Sequence, residues 1–160
     1  MAIRMITPAS EVDRILYKAF EILKNEITKS LSKLGVECIA KIRDRSKEES
    51  WIDHTGNLRS SIGYAVYDYG VKQIESAFQT VRNGTEGSTE GRKMISQLGS
   101  EYSNAYALVV VAGMNYADYV EALENKDVLA STELWAKRIV DARLKMAKKE
   151  AIRKIDKLAA

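Results

Sequence analysis

The sequence predicts an α+β fold, in which a long N-terminal helix and a C-terminal helix pack on a small, largely antiparallel β-sheet with a hairpin and an inserted helix. Three observations predict it. Apolar residues recur every three or four positions near both ends of the chain. Between these stretches lie runs rich in tyrosine and valine, which favour strands. The length of 160 residues suits one domain, so residues 1–160 are predicted to form a single domain.

The first predicted helix covers residues 8–44. Thr7 and Pro8 suit its start, because threonine caps helices and proline is tolerated in a first turn. One apolar stripe follows, formed by Val12, Leu16, Ala19, Leu23, Ile27, Leu31, Leu34, Cys38 and Ile42. Such a helix is about 55 Å long at 1.5 Å per residue, longer than a domain of this size needs. Either it bends at Gly35, or another subunit covers part of the stripe.

The middle of the chain predicts a hairpin, a loop, a short helix and a strand. The hairpin spans residues 61–82 and turns at a glycine-containing step. Residues 83–91 are rich in glycine and hydroxyl side chains, so we expect a mobile loop that orders on assembly. Residues 92–103 have helical spacing. The continuous apolar run of residues 106–113 predicts a strand that is buried on both faces and is therefore central in the sheet.

The last predicted helix covers residues 131–158 and is strongly basic. The segment from Lys137 to Lys157 contains nine basic and three acidic residues, a charge of +6. Because the net charge of the chain is +3, the remainder carries −3. Three interpretations are open: a solvated helix face, a nucleic-acid contact with strong salt dependence, or an interface with the acidic body of a neighbouring copy.

The chain offers few groups for catalysis or metal binding. Its one cysteine, Cys38, excludes an internal disulfide, and it lies on the apolar stripe as a core residue would. Its one histidine, His54, has no nucleophile implied nearby and is interpreted as a loop or surface residue. No phosphate loop or zinc spacing occurs, and no apolar run reaches the ~18 residues that cross a bilayer. We therefore expect no enzyme, no cofactor and no membrane partner.

Two segments stand out as motifs. The first, Thr55 to Tyr64, combines a turn that Asp53 or Thr55 can cap with a Gly-Asn step that allows an unusual backbone angle and an apolar pair on one face. The second, Gly113 to Glu121, directly follows the apolar strand. We consider the hypothesis that Arg59 and Glu121 pair across the two segments. The alternative is two solvated charges, since most surface ion pairs contribute only ~0–1 kcal/mol.

Together, the two segments resemble a family of tailed-bacteriophage neck proteins, the tail-completion or head–tail connector proteins, also described as minor capsid or tail components. That family has a long N-terminal helix, a Thr-Gly-x-Leu-Arg-x-Ser-Ile turn into a hairpin, a later Tyr-Ala-x-Tyr-Val-Glu element and a C-terminal helix. All four features occur here in that order, so the resemblance covers nearly the whole chain. The glycine-rich segment and the helix after it look like an elaboration of the family pattern.

The resemblance implies a structural subunit of a phage or prophage virion neck, made in the host cytoplasm. It implies ring assembly with copies of itself and contacts with neighbouring connector and tail-tube proteins. The motif residues with structural roles are then Thr55, Gly56, Leu58, Arg59, Ser61, Ile62, Tyr116, Ala117, Tyr119, Val120 and Glu121.

The candidate interface residues are Trp51, Trp135, Arg138, Arg143 and Lys148. For each tryptophan, core packing is slightly favoured over an interface role. For the basic helix, a solvated face combined with a subunit interface is favoured, and a non-specific DNA contact is kept open. The alternative function is a small nucleic-acid-binding protein that uses the basic C-terminal helix.

Overall fold

The structure, a computed structural model, describes residues 8–45, 51–123 and 126–158. It confirms the predicted α+β class: α1 packs on one face of a three-stranded antiparallel sheet, α5 packs along α1, and α3 covers the opposite face. The helices are α1 (Ala9–Arg43), α2 (Asn57–Ser60), α3 (Thr85–Leu98), α4 (Ala117–Ala122) and α5 (Ala130–Asp156). The strands are β1 (Ile62–Asp68), β2 (Val71–Glu75) and β3 (Tyr106–Ala112), and a 3₁₀ helix, Gly99–Tyr102, follows α3.

Helix α1 is continuous through Gly35, so the predicted helix is confirmed and the predicted bend is not found. Gly35 is buried, and a Cβ there would collide with the ring of Tyr64, so glycine lets the helix approach the sheet closely. The apolar stripe is buried in the second half of α1, but Leu16 is 52% exposed in the first half. Thr7, the predicted cap, lies outside the described residues.

Helix α5 runs antiparallel to α1 and confirms the predicted C-terminal helix within two residues. Arg143 Nη2 binds Glu37 Oε2 at 2.7 Å, and Lys154 pairs with Glu26, so later residues of α5 meet earlier residues of α1. The helices contact each other closely because the α5 residues at the contact, Ala147 and Ala151, are small and buried.

The predicted hairpin exists, but its second strand is shorter than expected. Tyr69 and Gly70 have φ values of 47° and 83° and form the tight turn that two antiparallel strands need. Strand β2 ends at Glu75, whereas the sequence suggested a hairpin to residue 82. After Glu75 the chain leaves the strand pairing, because Phe78 packs on the α3 face of the sheet, where the residue is 4% exposed.

Strand β3 covers the predicted residues, but the prediction that it is central is wrong. The strand order is β2-β1-β3, so β1 is central and β3 lies at an edge. Both faces of β3 are nevertheless covered: Leu108 and Val110 contact the α1 side, and Val109 and Val111 contact the α3 side. Helices on both faces therefore account for the apolar run that suggested a central strand.

The predicted mobile loop at residues 83–91 is also wrong. Helix α3 already begins at Thr85, earlier than the predicted 92–103, and its carboxyl end passes into the 3₁₀ helix. Gly87 and Gly91 are buried, and a Cβ on either would collide with the backbone of the Thr55–Tyr64 motif. The glycines thus permit close helix packing here and do not signal flexibility.

Candidate functional site

The turn at Thr55–Tyr64 is shaped by Asp53 and Gly56. Asp53 accepts hydrogen bonds from the backbone N–H groups of Gly56 and Arg59, both at 2.8 Å, one with each carboxylate oxygen. Thr55 Oγ1 accepts a weaker bond from Asn57 N at 3.2 Å. Gly56 has φ +84°, and a Cβ there would collide with the carbonyl oxygen of Val81. Asp53 is therefore the main cap of this turn, and the position requires glycine.

Two buried serines join this turn to the rest of the site. Ser60 Oγ donates to Gly56 O at 2.6 Å and accepts from Val81 N at 2.8 Å. Ser61 Oγ donates to Leu58 O at 2.8 Å, and the Ser61 carbonyl accepts from Gly113 N at 3.2 Å. This last bond ties the first motif to the start of the second.

Arg43 and Arg59 hold the motif against the carboxyl end of α1. Arg59 Nη1 donates to Arg43 O at 3.0 Å, while Arg43 Nη2 donates to Arg59 O at 3.2 Å and Ile62 O at 3.1 Å. The guanidinium of Arg59 also lies 5.0 Å from the Trp51 ring centroid. Burial, and secondarily the positive charge of Arg59, lowers the pKa of Arg43. Cations suit this place, because a helix end leaves carbonyl groups unpaired.

The second motif packs on the first. Ala117 is buried and Val120 is half-buried in the cluster that contains Leu58 and Ile62. Burial, followed by the negative charge of Asp53, raises the pKa of Tyr116. Tyr119 is 68% exposed.

Glu121 lies at the end of α4 and caps the next helix. Its Oε1 accepts from Leu129 N at 3.1 Å and from Ala130 N at 2.6 Å, at the start of α5. Arg59 and Glu121 do not pair with each other in the described part of the chain. The pairing hypothesis is therefore wrong, because Glu121 binds backbone donors of α5 and Arg59 binds carbonyl oxygens near α1.

The two motifs also share a shallow cavity of about 330 Å³. Trp51, Leu58, Tyr116 and Val120 supply its apolar lining, and Ile52, which is 79% exposed, lies at its side. Arg43 and Ser60 organise this region and were missed as site residues, while Asp53 fills the capping role that the sequence offered to Asp53 or Thr55. A sequence signal existed for Asp53, which stands three residues before a glycine in a turn, but none existed for Arg43.

The candidate interface residues fall into three groups. Trp51 is only 6% exposed and belongs to the core, while Trp135 is half-buried with Lys41 Nζ 5.6 Å from its ring centroid. Arg143 binds Glu37 of its own α1. Arg138 and Lys148 are exposed and pair with none of the described acidic residues. Of the five candidates, these two carry charged side chains that form no ion pair with a described residue.

The basic helix is partly neutralised from within the chain. Described ion pairs join Lys137 to Glu133, Arg143 to Glu37, Arg153 to Glu150 and Lys154 to Glu26. Arg138, Lys145 and Lys149, spaced by seven and four residues, share one face of α5, opposite the buried Ala147 and Ala151. A stripe of positive charge is therefore left facing outward.

An exposed apolar stripe lies at the amino-terminal end of α1. It consists of Val12, Leu16, Tyr17 and Phe20, and the last two are each 69% exposed. The stripe continues the line of residues that is buried further along the helix. This is the expected uncovered part of α1.

Cys38 and His54 lie as predicted, the first buried and the second exposed. Within residues 8–45, 51–123 and 126–158, no cluster of His, Cys, Asp and Glu side chains is placed to hold a metal ion. None of the described helices combines the length and apolar character that a membrane span requires. No protein-family model, curated protein or solved structure matches the chain significantly.

Proposed function

We propose that the protein is a structural subunit of a phage or prophage virion neck, which completes the tail end and joins it to the head connector by ring assembly. The observation that carries the proposal is the union of the two family-like motifs. Segments far apart in sequence meet through the Ser61–Gly113 hydrogen bond and a shared apolar cluster. Arg59 and Glu121 then fasten this unit to α1 and α5.

The exposed stripe of α1 supports a role in assembly. Val12, Leu16, Tyr17 and Phe20 form a contiguous apolar surface on a single helix. Apolar surface of this kind is typical of protein–protein contacts. In the proposed neck, a neighbouring copy or connector protein covers it. The exposed Arg138 and Lys148 of α5 lie beside the later part of α1, away from the stripe, and would form a separate, charged contact.

Deletion of the gene from the phage or prophage that encodes it tests this function. We expect electron micrographs of the lysate to show filled heads and separate tails, because the junction between them is incomplete. Joined, normal particles in the deletion strain would contradict the proposal.

Complementation with variants tests the α1 stripe. Leu16→Glu combined with Phe20→Glu places two charges on the stripe, so we expect the yield of joined particles to fall at least tenfold. Lys18→Glu introduces the same side chain on the opposite side of the same exposed segment and serves as the matched control. Circular dichroism of the purified proteins checks that both fold. Equal complementation by the two variants would show that the stripe has no part in assembly.

A second candidate is nucleic-acid binding, favoured by the outward stripe of Arg138, Lys145 and Lys149. A protein that binds through phosphate contacts shows submicromolar affinity for duplex DNA that falls steeply with salt. Affinity measured across salt, for the wild type and for a variant with the three residues changed to glutamine, separates the candidates. Tight, salt-dependent binding that the variant loses would favour the second candidate, and weak binding by both proteins would favour the neck.

A further inference from the structure

The outer edge of β3 presents unpaired backbone groups. Hydrogen bonds from Tyr69 N to Ala105 O (3.1 Å) and from Gly113 N to Ser61 O (3.2 Å) show that odd-numbered residues of β3 bond to β1. The even-numbered residues, including Leu108 and Val110, therefore direct their N–H and C=O groups away from β1. In the described part of the chain, nothing pairs with these outward groups.

A groove of about 720 Å³ lies along this edge. Its lining includes Leu108 and Val110 from the α1 face of the strand and Val109 from the α3 face. Because Leu98 and Tyr102 of the α3 side also line it, the groove reaches past the edge of this strand. The groove and the unpaired backbone groups are therefore parts of one feature.

The position of α5 explains the groove. Helix α5 packs along α1 and makes few contacts with the sheet, so it stands in the helix layer beyond β3. On the helix side, Ala136, Val140 and Leu144 of α5 form one wall. Six residues of α1 complete that side: Leu23, Ile27, Leu31, Leu34, Cys38 and Ile42. Leu98 and Tyr102 lie on the α3 side. A strand added at the usual spacing of ~4.8 Å would lie between these two groups. Helices in layered folds normally cover strands, and no described strand occupies this place.

We propose that the edge of β3 binds an extended segment of a partner protein, which adds to the sheet as a fourth strand. Its backbone pairs with the outward groups of β3. Its side chains alternate between the side formed by α1 and α5 and the side formed by Leu98 and Tyr102. The segment is therefore apolar on both faces. A length of about seven residues matches β3. This site goes beyond the proposed neck function and does not depend on it.

The charge of the segment follows from Lys148. Lys148 lines the groove one turn beyond Leu144 and forms no ion pair with a described residue. Lys137, which also lines the groove, is already paired with Glu133, and β3 itself contains no charged residue. An acidic residue at the end of the segment next to Lys148 therefore complements the groove.

Labelled octapeptides test the proposal. Two consist of alternating valine and leucine with glutamate at the amino or the carboxyl end. The third peptide is the tighter-binding glutamate peptide with lysine in place of its glutamate. The fourth is the same glutamate peptide with N-methyl groups on alternate amides. Fluorescence anisotropy should show that one glutamate peptide binds at least tenfold more tightly than the lysine and N-methylated peptides. Hydrogen exchange at the Leu108 and Val110 amides should slow at least tenfold on binding, while Val109 and Val111 change little.

Variants of α5 locate the binding. Ala136→Glu places a charge in the groove, so we expect the affinity to fall at least tenfold. Met146→Glu, on the same helix, changes a side chain that is 69% exposed outside the groove, and the affinity should stay within twofold. The exchange measurement uses the wild type and decides the question even if Ala136→Glu does not fold.

Three results would overturn the proposal. The first is failure of every peptide to bind at about 100 μM, an affinity too weak for a specific site. The second is equal binding of the N-methylated peptide, which would show that strand pairing is not involved. The third is self-association in sedimentation that Ala136→Glu abolishes, which would make a second copy the occupant of the groove.

Discussion

At the scale of single residues, the shape of the Thr55–Tyr64 motif depends on backbone groups more than on exposed side chains. Asp53 accepts two backbone N–H groups, and Arg43 and Arg59 donate to carbonyl oxygens. A motif of this kind stabilises the fold of the protein, and its mutation acts first on stability. The surfaces that we propose for partners lie elsewhere, on α1, α5 and the edge of β3.

The first prediction concerns two glycines with the same backbone conformation. Gly56 and Gly70 have φ values of 84° and 83°, so alanine at either position costs roughly 1–2 kcal/mol of backbone strain. At Gly56 the added Cβ also collides with Val81 O, whereas the nearest atom at Gly70 is 3.3 Å away. We expect Gly56→Ala to lower the free energy of unfolding, measured with urea, by about 3 kcal/mol or more.

In the matched variant Gly70→Ala, only this backbone strain should act, so we expect the free energy of unfolding to fall by about 1–2 kcal/mol. Equal losses in the two variants would contradict the described position of Gly56 beneath residue 81.

The second prediction concerns the buried thiol of Cys38. Burial, followed by the charge of Glu37, raises the pKa of Cys38 from its ordinary value near 9 to about 11. Below pH 9 the thiol is protonated in both the folded and the unfolded chain. Between pH 9 and 11 the unfolded chain loses this proton first, so the free energy of unfolding falls by about 1.4 kcal/mol per pH unit through this group.

Cys38→Ala removes this contribution, and the contributions of the other titrating groups to the pH dependence cancel when the two proteins are compared. We expect the stability of the wild type relative to the variant to fall by about 2 kcal/mol from pH 9 to 11. Parallel stability curves would show that the thiol is not held in a buried site.

At the scale of elements, the sequence was sufficient for α1, α5 and the hairpin turn, because each is encoded by local periodicity or by a glycine. It was insufficient for α3. Its glycines predicted a loop, but Gly87 and Gly91 lie against the backbone of the Thr55–Tyr64 motif, which is distant in the sequence. It was also insufficient for the place of β3, because burial on both faces does not distinguish a central strand from an edge strand covered by helices.

The third prediction tests that packed helix. In an exposed helix, Gly→Ala stabilises by about 1 kcal/mol. At Gly87 the added Cβ would collide with Asn57 O, so Gly87→Ala should instead destabilise the protein by about 2 kcal/mol or more. Thr89→Ala, at an exposed position of the same helix, is the control and should change stability by less than about 0.5 kcal/mol. A stabilising Gly87→Ala would support the mobile loop that the sequence suggested.

At the scale of the whole molecule, the two motifs form a packed centre, and the described residues leave two apolar surfaces uncovered. The motifs join α1, the sheet and α5, while the stripe at the start of α1 and the edge of β3 are left without partners among the described residues. The sequence suggested a contact between the motifs only as the Arg59–Glu121 pair, and the two segments meet instead through the Ser61–Gly113 hydrogen bond and an apolar cluster. The edge groove could not be predicted, since it depends on how far α5 stands from the sheet.

A cryo-electron microscopy reconstruction of the particle, with this chain fitted into the density, tests the neck assignment most directly. The account predicts a ring of copies at the junction of capsid and tail, with the α1 stripe at a subunit or connector contact. A position elsewhere in the particle, or a particle that lacks the chain, would contradict it.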